Sequence, residues 1–109
     1  MPLYQIRTVL KQDKIDEFLK NLRLLWFEFL KEEGCLSYRV YQEFEKENIV
    51  FMVGEFNSHE AMADHFQTQN FEVLIGASTV LGKGFKMTIA EPLKTGDLDL
   101  AKSLMSPEK

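Results

Sequence analysis

Hydrophobic positions change their spacing several times along the chain, and each change marks an element. From Leu3 to Leu10 apolar and branched residues alternate with Gln5 and Arg7, the period of a strand with one buried face. Lys11 to Lys14 interrupts the alternation; Asp13 suits a helix N-cap, with Asp16 and Glu17 in the positive first turn that follows. Ile15, Phe18, Leu19, Leu22, Leu25, Trp26, Phe29 and Leu30 then recur at three- and four-residue intervals, which predicts a helix with one buried stripe. Gly34 suits a left-handed cap after it. Leu24 and Phe27 lie off the stripe and predict a second contact surface for this helix.

The period returns to two over Cys35–Phe44, with Leu36, Tyr38 and Val40 on one face and Ser37, Arg39, Tyr41 and Glu43 on the other. Residues 45–48 are polar and predict the hairpin connection. The strand Ile49–Phe56 is apolar on both faces, with Val50, Met52 and Phe56 on one side and Ile49, Phe51 and Val53 on the other. Asn57 or Ser58 can cap a second helix, Glu60 can reach back as in a capping box, and Ala61, Met62, His65 and Phe66 share its inner side. Over residues 67–81 the pattern weakens and predicts a short helical turn around Phe71–Ile75 and a loop. Gly82-Lys83-Gly84 leads to a last strand, Phe85–Glu91, which Pro92 ends.

The order strand, helix, strand, strand, helix, strand predicts a ferredoxin-like α+β domain over residues 1–92, with a four-stranded antiparallel sheet. Right-handed crossovers put both helices on one side of that sheet, so one apolar face of the third strand is left uncovered. A face of that kind calls for a cover, and a second copy related by a twofold axis is the simplest one. The tail, residues 93–109, carries Leu98, Leu100, Leu104 and Met105 and is expected to dock in part on the domain or on a partner subunit.

Composition narrows the functional classes. The chain has 109 residues, enough for one domain with a modest core. It is 45% hydrophobic with nine Phe, which fits a chain that places some apolar surface in a subunit contact. The net charge of −4 is spread without a basic patch, which argues against nucleic acid or an anionic membrane as partner. The single cysteine, Cys35, excludes an intrachain disulfide and a cysteine-based metal framework. No stretch has the length of a transmembrane helix and the start has no signal-peptide pattern, so a cytoplasmic location is expected.

Residues 30–35 (Leu-Lys-Glu-Glu-Gly-Cys) followed by Tyr38 resemble the helix-to-strand passage of quinol-monooxygenase-like members of the antibiotic biosynthesis monooxygenase family. Residues 55–61 (Glu-Phe-Asn-Ser-His-Glu-Ala), then His65-Phe66 and residues 68–71 (Thr-Gln-Asn-Phe), resemble that family's strand-to-helix passage and the turn after it. The resemblance spans roughly residues 3–91. It implies a dimeric α+β barrel with a closed apolar cavity between sheet and helices in each subunit. It also implies oxygenation of a small phenol, anthrone or hydroquinone by molecular oxygen without metal, flavin or haem. Such chemistry needs a dry pocket and a partner for the acidic hydroxyl, because the substrate anion itself supplies the electron. Two positions depart from the family: Phe56 stands where a Trp is common, and Asn70 where many quinol-type members carry His.

His65 is the candidate base, since an imidazole titrates near pH ~6.5 and sits on the inner side of its helix. Tyr38, Asn70, Trp26, Phe56, Phe71 and Met52 are candidate substrate contacts, Tyr38 and Asn70 for substrate oxygens and the others as wall. His59 is expected at the surface, and Arg39 and Tyr41 in an interface. Cys35 has no neighbouring base in sequence to activate it. Two histidines six apart do not form one face of a zinc site on a helix, no Gly-rich phosphate loop is present, and the haem-binding pattern of some relatives is missing. No metal and no cofactor are therefore expected. Two other functions suit the same scaffold: a non-catalytic module that binds a small apolar ligand, and an isomerase of a small oxygenated metabolite.

Overall fold

The computed structural model describes residues 1–105; the last four residues of the tail lie outside it. Strand β1 (Leu3–Leu10) buries Tyr4, Ile6, Thr8 and Leu10 by strict alternation. A single 3₁₀ turn over Gln12–Lys14 enters α1 (Ile15–Leu30), whose buried residues Ile15, Phe18, Leu22, Leu25 and Phe29 trace the predicted stripe. Asp13 is not the cap: it lies inside the 3₁₀ turn, and Lys14 takes the cap position without a side-chain hydrogen bond. Leu24 and Phe27 are solvent-exposed.

Gly34 has φ +87°, and its carbonyl accepts the Asn57 amide at 2.8 Å. It therefore joins the end of the helix region to the start of the next crossover. Strands β2 (Cys35–Glu43) and β3 (Lys46–Phe56) form a hairpin tighter than the polar run 45–48 predicts. Its turn is Phe44-Glu45, with Glu45 left-handed at φ 69°, and Lys46, Glu47 and Asn48 belong to β3. Polar residues are tolerated there because Lys46 and Glu47 are exposed at the projecting end of the sheet.

Helix α2 (His59–Phe66) is capped by Ser58, whose hydroxyl accepts the Ala61 amide at 3.0 Å. The capping box does not form, because the third position after Ser58 is Ala61 rather than a Glu or Gln. The expected loop over 67–81 is instead a full helix, α3 (Gln69–Leu81), capped by Thr68. Its β-branched residues, Gly76 and two hydroxyls disguise it in sequence. The hydroxyls of Ser78 and Thr79 bond back to the carbonyls of Leu74 and Ile75, four residues earlier, so they do not compete with the helix. Strand β4 (Gly82–Ala90) takes in the glycines, and a short α4 (Leu98–Met105) follows.

The sheet is antiparallel throughout, in the order β2-β3-β1-β4. With α1, α2 and α3 it makes the ferredoxin-like α+β fold. Phe29 of α1, His65 of α2 and Phe71 of α3 all pack against rings of Tyr4 or Tyr38, so the three helices cover one face. On that face the core contains Tyr4, Ile6, Val50, Met52, Phe56 and Leu74, each fully buried. The other face is mixed. Ile49 is buried and Phe51 and Val53 half-buried along β3, between the more polar rows of Gln5, Arg7, Arg39, Lys86 and Thr88. Cover is also incomplete at β4, where Phe85 and Ile89 point to the helix side yet stay about half exposed. None of the residues of α4 is buried, and Leu98, Leu104 and Met105 face solvent. Among the described residues no helix is long and apolar enough to cross a membrane.

Candidate functional site

The core contains one chain of polar groups, and four elements build it. Glu32 comes from the turn after α1, His65 from α2, Tyr4 from β1 and Tyr38 from β2. Glu32 Oε1 lies 2.7 Å from His65 Nδ1; His65 Nε2 lies 2.7 Å from the Tyr4 hydroxyl; and that hydroxyl lies 2.7 Å from the Tyr38 hydroxyl. The aromatic rings of Phe29, Phe56, Phe66 and Phe71 enclose the imidazole, with ring centres 4.7 to 5.8 Å away. His65 is 1% exposed. The second carboxylate oxygen of Glu32 is also buried and has no hydrogen-bond partner among the described residues.

Burial lowers the basicity of His65, and the hydrogen bond and charge of Glu32 offset only part of that. The imidazole is therefore neutral at neutral pH and carries one proton. A carboxylate can only accept, so Nδ1–H donates to Glu32 and Nε2 accepts from Tyr4. Tyr4 has spent its proton, so Tyr38 donates to Tyr4. Every hydrogen bond in the row then points toward Glu32. Burial pushes both phenols well above the usual tyrosine range, and for Tyr4 the neighbouring Tyr38 pushes further the same way. Neither tyrosine holds a negative charge, so each can pass a proton on but not keep an anion.

Tyr38 also borders a cleft of about 510 Å³ between α1 and β2. Leu19, Leu22, Trp26 and Val40 form its apolar wall, and Arg23 and Arg39 stand in its lining. The Trp26 indole N–H donates to the Tyr38 carbonyl at 2.6 Å, which ties the helix to the edge strand along the cleft.

The family model for antibiotic biosynthesis monooxygenase matches residues 4–76. The chain belongs to this family. No curated protein is significantly similar to it. Solved structures agree on the fold. An antibiotic biosynthesis monooxygenase superposes with a TM-score of 0.79 at 18% identity, over 86% of this chain and 100% of its own. A conserved protein of Methanosarcina mazei Go1 is 27% identical, with a TM-score of 0.76 over 83% of this chain and 91% of its own. A Bacteroides thetaiotaomicron protein of unknown function, described as a possible oxidoreductase, gives 0.75 at 18% identity, over 82% and 94%.

Within this antibiotic biosynthesis monooxygenase domain the candidate residues separate into two groups. Tyr38 and Trp26 line the cleft. His65, Phe56 and Phe71 sit behind Tyr38, packed on one another and on Tyr4. Met52 is fully buried, paired in register with Ile6 and Val40. Asn70, read as a turn residue, lies in the first turn of α3 and does not line the cleft. The space around His65 is filled by the protein's own rings rather than by a closed cavity, because six aromatic side chains converge there from six elements. Cys35 is half-buried, and burial together with the charge of Glu32 pushes its thiol up, away from reactivity. His59 is exposed and pairs with Glu91 at 2.8 Å.

Sequence reasoning missed Tyr4 and Glu32 as site residues. Tyr4 carried one usable signal, since a tyrosine on the buried side of a strand must place its hydroxyl against a partner. Glu32 carried none: it reads as one of several charges at a helix end.

Proposed function

We propose that the protein is a cofactor-independent monooxygenase acting on a small phenolic, quinol-like or anthrone-like substrate, with the row from Tyr38 to Glu32 as its proton relay. The observation that carries this reading is that Tyr38 as a residue borders the cleft while its hydroxyl, turned inward to Tyr4, begins the relay. A substrate hydroxyl at Tyr38 gives its proton to the Tyr38 oxygen. Tyr38 passes its own proton to Tyr4, and Tyr4 passes its proton to His65 Nε2. The result is an imidazolium beside the Glu32 carboxylate, with both tyrosines neutral again. Preorganised charge pairing of this kind favours the substrate anion.

The anion then reduces oxygen by one electron, and the radical pair closes a carbon–oxygen bond. For an anthrone-type CH₂ carbon, the resulting hydroperoxide loses water, leaving one oxygen as the carbonyl. One O₂ is consumed and one water released per CH₂ oxidised to C=O. Oxygen uptake with a panel of hydroquinones and anthrones tests this directly. Uptake that is as fast in His65→Ala as in the parent protein removes the relay from the reaction.

The working unit is taken to be a homodimer joined through the open sheet face, where Ile49, Phe51 and Val53 form an apolar stripe and Tyr41 is half exposed. Sedimentation at micromolar concentration tests it. A second functional reading, a ligand-binding module without turnover, is favoured by the 2% exposure of Tyr38, whose hydroxyl turns inward to Tyr4. A bound ligand with no oxygen consumed in its presence would establish that reading.

A further inference from the structure

The charges around the cleft run against the balance of the chain. The protein has 17 acidic and 13 basic residues, yet the charged residues lining the cleft are Arg23 and Arg39, and no carboxylate lines it. A second cleft is lined by Asp13, Asp16 and Glu47, so the surface clefts do not all lack acids. Neither arginine has an ion-pair partner among the described residues. For Arg23 the reason is local: the positions three and four away on α1 are Lys20, Trp26, Leu19 and Phe27, none of them acidic. A carboxylate at such a position would pair with it at modest gain. Among the described residues the guanidinium therefore has no acidic partner at the edge of the apolar wall.

We propose that this cleft selects an aromatic carboxylic acid, with Arg23 taking the carboxylate and the ring lying against Trp26, Leu22 and Val40; Arg39, whose side chain belongs to the open sheet face, borders the cleft from β2 and adds only to the local positive charge. The inference rests on the reading of Tyr38 as the substrate-facing end of the relay only for its orientation: the acid end lies at Arg23 and a phenolic edge at Tyr38. A guanidinium matches a carboxylate bidentately, which fixes the direction of a flat ligand as well as adding affinity. The cleft volume of about 510 Å³ lies in the range of small-molecule sites, which accommodates a ligand of two fused rings.

The test uses the full-length protein and two probes that differ by the carboxylate alone, 3-hydroxy-2-naphthoate and 2-naphthol. Trp26 is the single tryptophan, so its indole N–H gives one cross-peak in a nitrogen–proton correlation spectrum, and that peak reports the cleft. The naphthoate is expected to shift the indole peak and to bind about tenfold more tightly than the naphthol. Arg23→Ala should remove most of that preference, read as the ratio of the two affinities, and Arg23→Lys should restore part of it. Arg23 is exposed, and the remaining peaks of the same spectrum verify that each variant is folded. Equal binding of the two probes overturns the proposal, as does a preference that survives both Arg23→Ala and Arg39→Ala, or saturation that leaves the indole peak unmoved. The readout is binding without oxygen. Failure here with quinol-dependent oxygen uptake intact removes the anion preference alone; anion binding without any oxygen uptake removes the oxygenase reading alone.

Discussion

The hydroxyls of Tyr4 and Tyr38 meet at 2.7 Å although their strands are not neighbours. Strand β3 runs between them, and Gly54 is paired in register with both. Two strand spacings amount to roughly 9.5 Å, yet the ring centres are 5.9 Å apart. The rings lean over the gap that a missing side chain leaves. A methyl carbon at Gly54 would lie 3.0 Å from a ring carbon of each tyrosine and 3.1 Å from Phe56.

Gly54→Ala is therefore expected to part the tyrosine pair. Overpacking of this kind costs about 1–3 kcal/mol of stability, measurable by urea unfolding. If the relay serves catalysis, oxygen uptake should fall on the order of a hundredfold, and Tyr38→Phe, which keeps the packing, should fall as far with little change in stability. Gly54→Ala with parental activity would show that the contact between the hydroxyls is not used.

Stability should also depend on His65. Its basicity is lowered in the fold, so below the ordinary titration range of histidine the unfolded chain binds a proton that the native chain resists. Unfolding free energy should then rise with pH through the region around ~6.5 and decline as pH falls below it. His65→Gln, which cannot titrate, should lose that part of the slope. Urea unfolding of both proteins at a series of pH values between about 5 and 8 measures the difference, and identical slopes would mean that His65 does not contribute.

Gly34 carries two demands at once. Its φ of +87° excludes most side chains, and an added Cβ would fall against Ala61 and the Asn57 side chain. Left-handed geometry alone costs an alanine about 1–2 kcal/mol. Gly34→Ala should therefore destabilise by about 2 kcal/mol or more and loosen the junction that positions Glu32, two residues before it. Denaturant midpoints test the first effect, and the chemical shifts of the His65 ring the second.

Cys35 should react with a thiol-specific disulfide reagent more slowly than an unstructured cysteine, because burial and the Glu32 charge both hold its thiol protonated. Glu32→Gln retains an acceptor for His65 Nδ1–H and removes the charge, so the native reaction rate should increase. A rate in that variant that equals the parent's would place the Glu32 carboxylate too far away to matter.

The elements with a clear period were legible. The stripe of α1 and the alternation of β1 and β2 follow from residues that have only one way to bury their apolar side, and the strand order of the sheet follows from their sequence. α3 was not legible, because its Val, Ile, Thr and Gly residues argue weakly for any state, and burial of Leu74, Ser78 and Leu81 against the sheet decides the matter. The site divides the same way. His65 was visible because a histidine on an apolar helix face stands out, whereas Asn70 looked like a turn residue until α3 absorbed it.

Local periodicity set the order of strands and helices, since burial of a stripe is a property of neighbours in sequence, and that order with right-handed crossovers implies an antiparallel sheet with helices on one side. Which polar groups touch was decided only in three dimensions. His65, Tyr4 and Tyr38 come from three elements and Glu32 from the turn after α1, and their hydrogen bonds depend on a register that puts a glycine between two tyrosines. No spacing along the chain encodes that, because a hydrogen bond depends on angstroms between atoms whose separation the packing of the core sets.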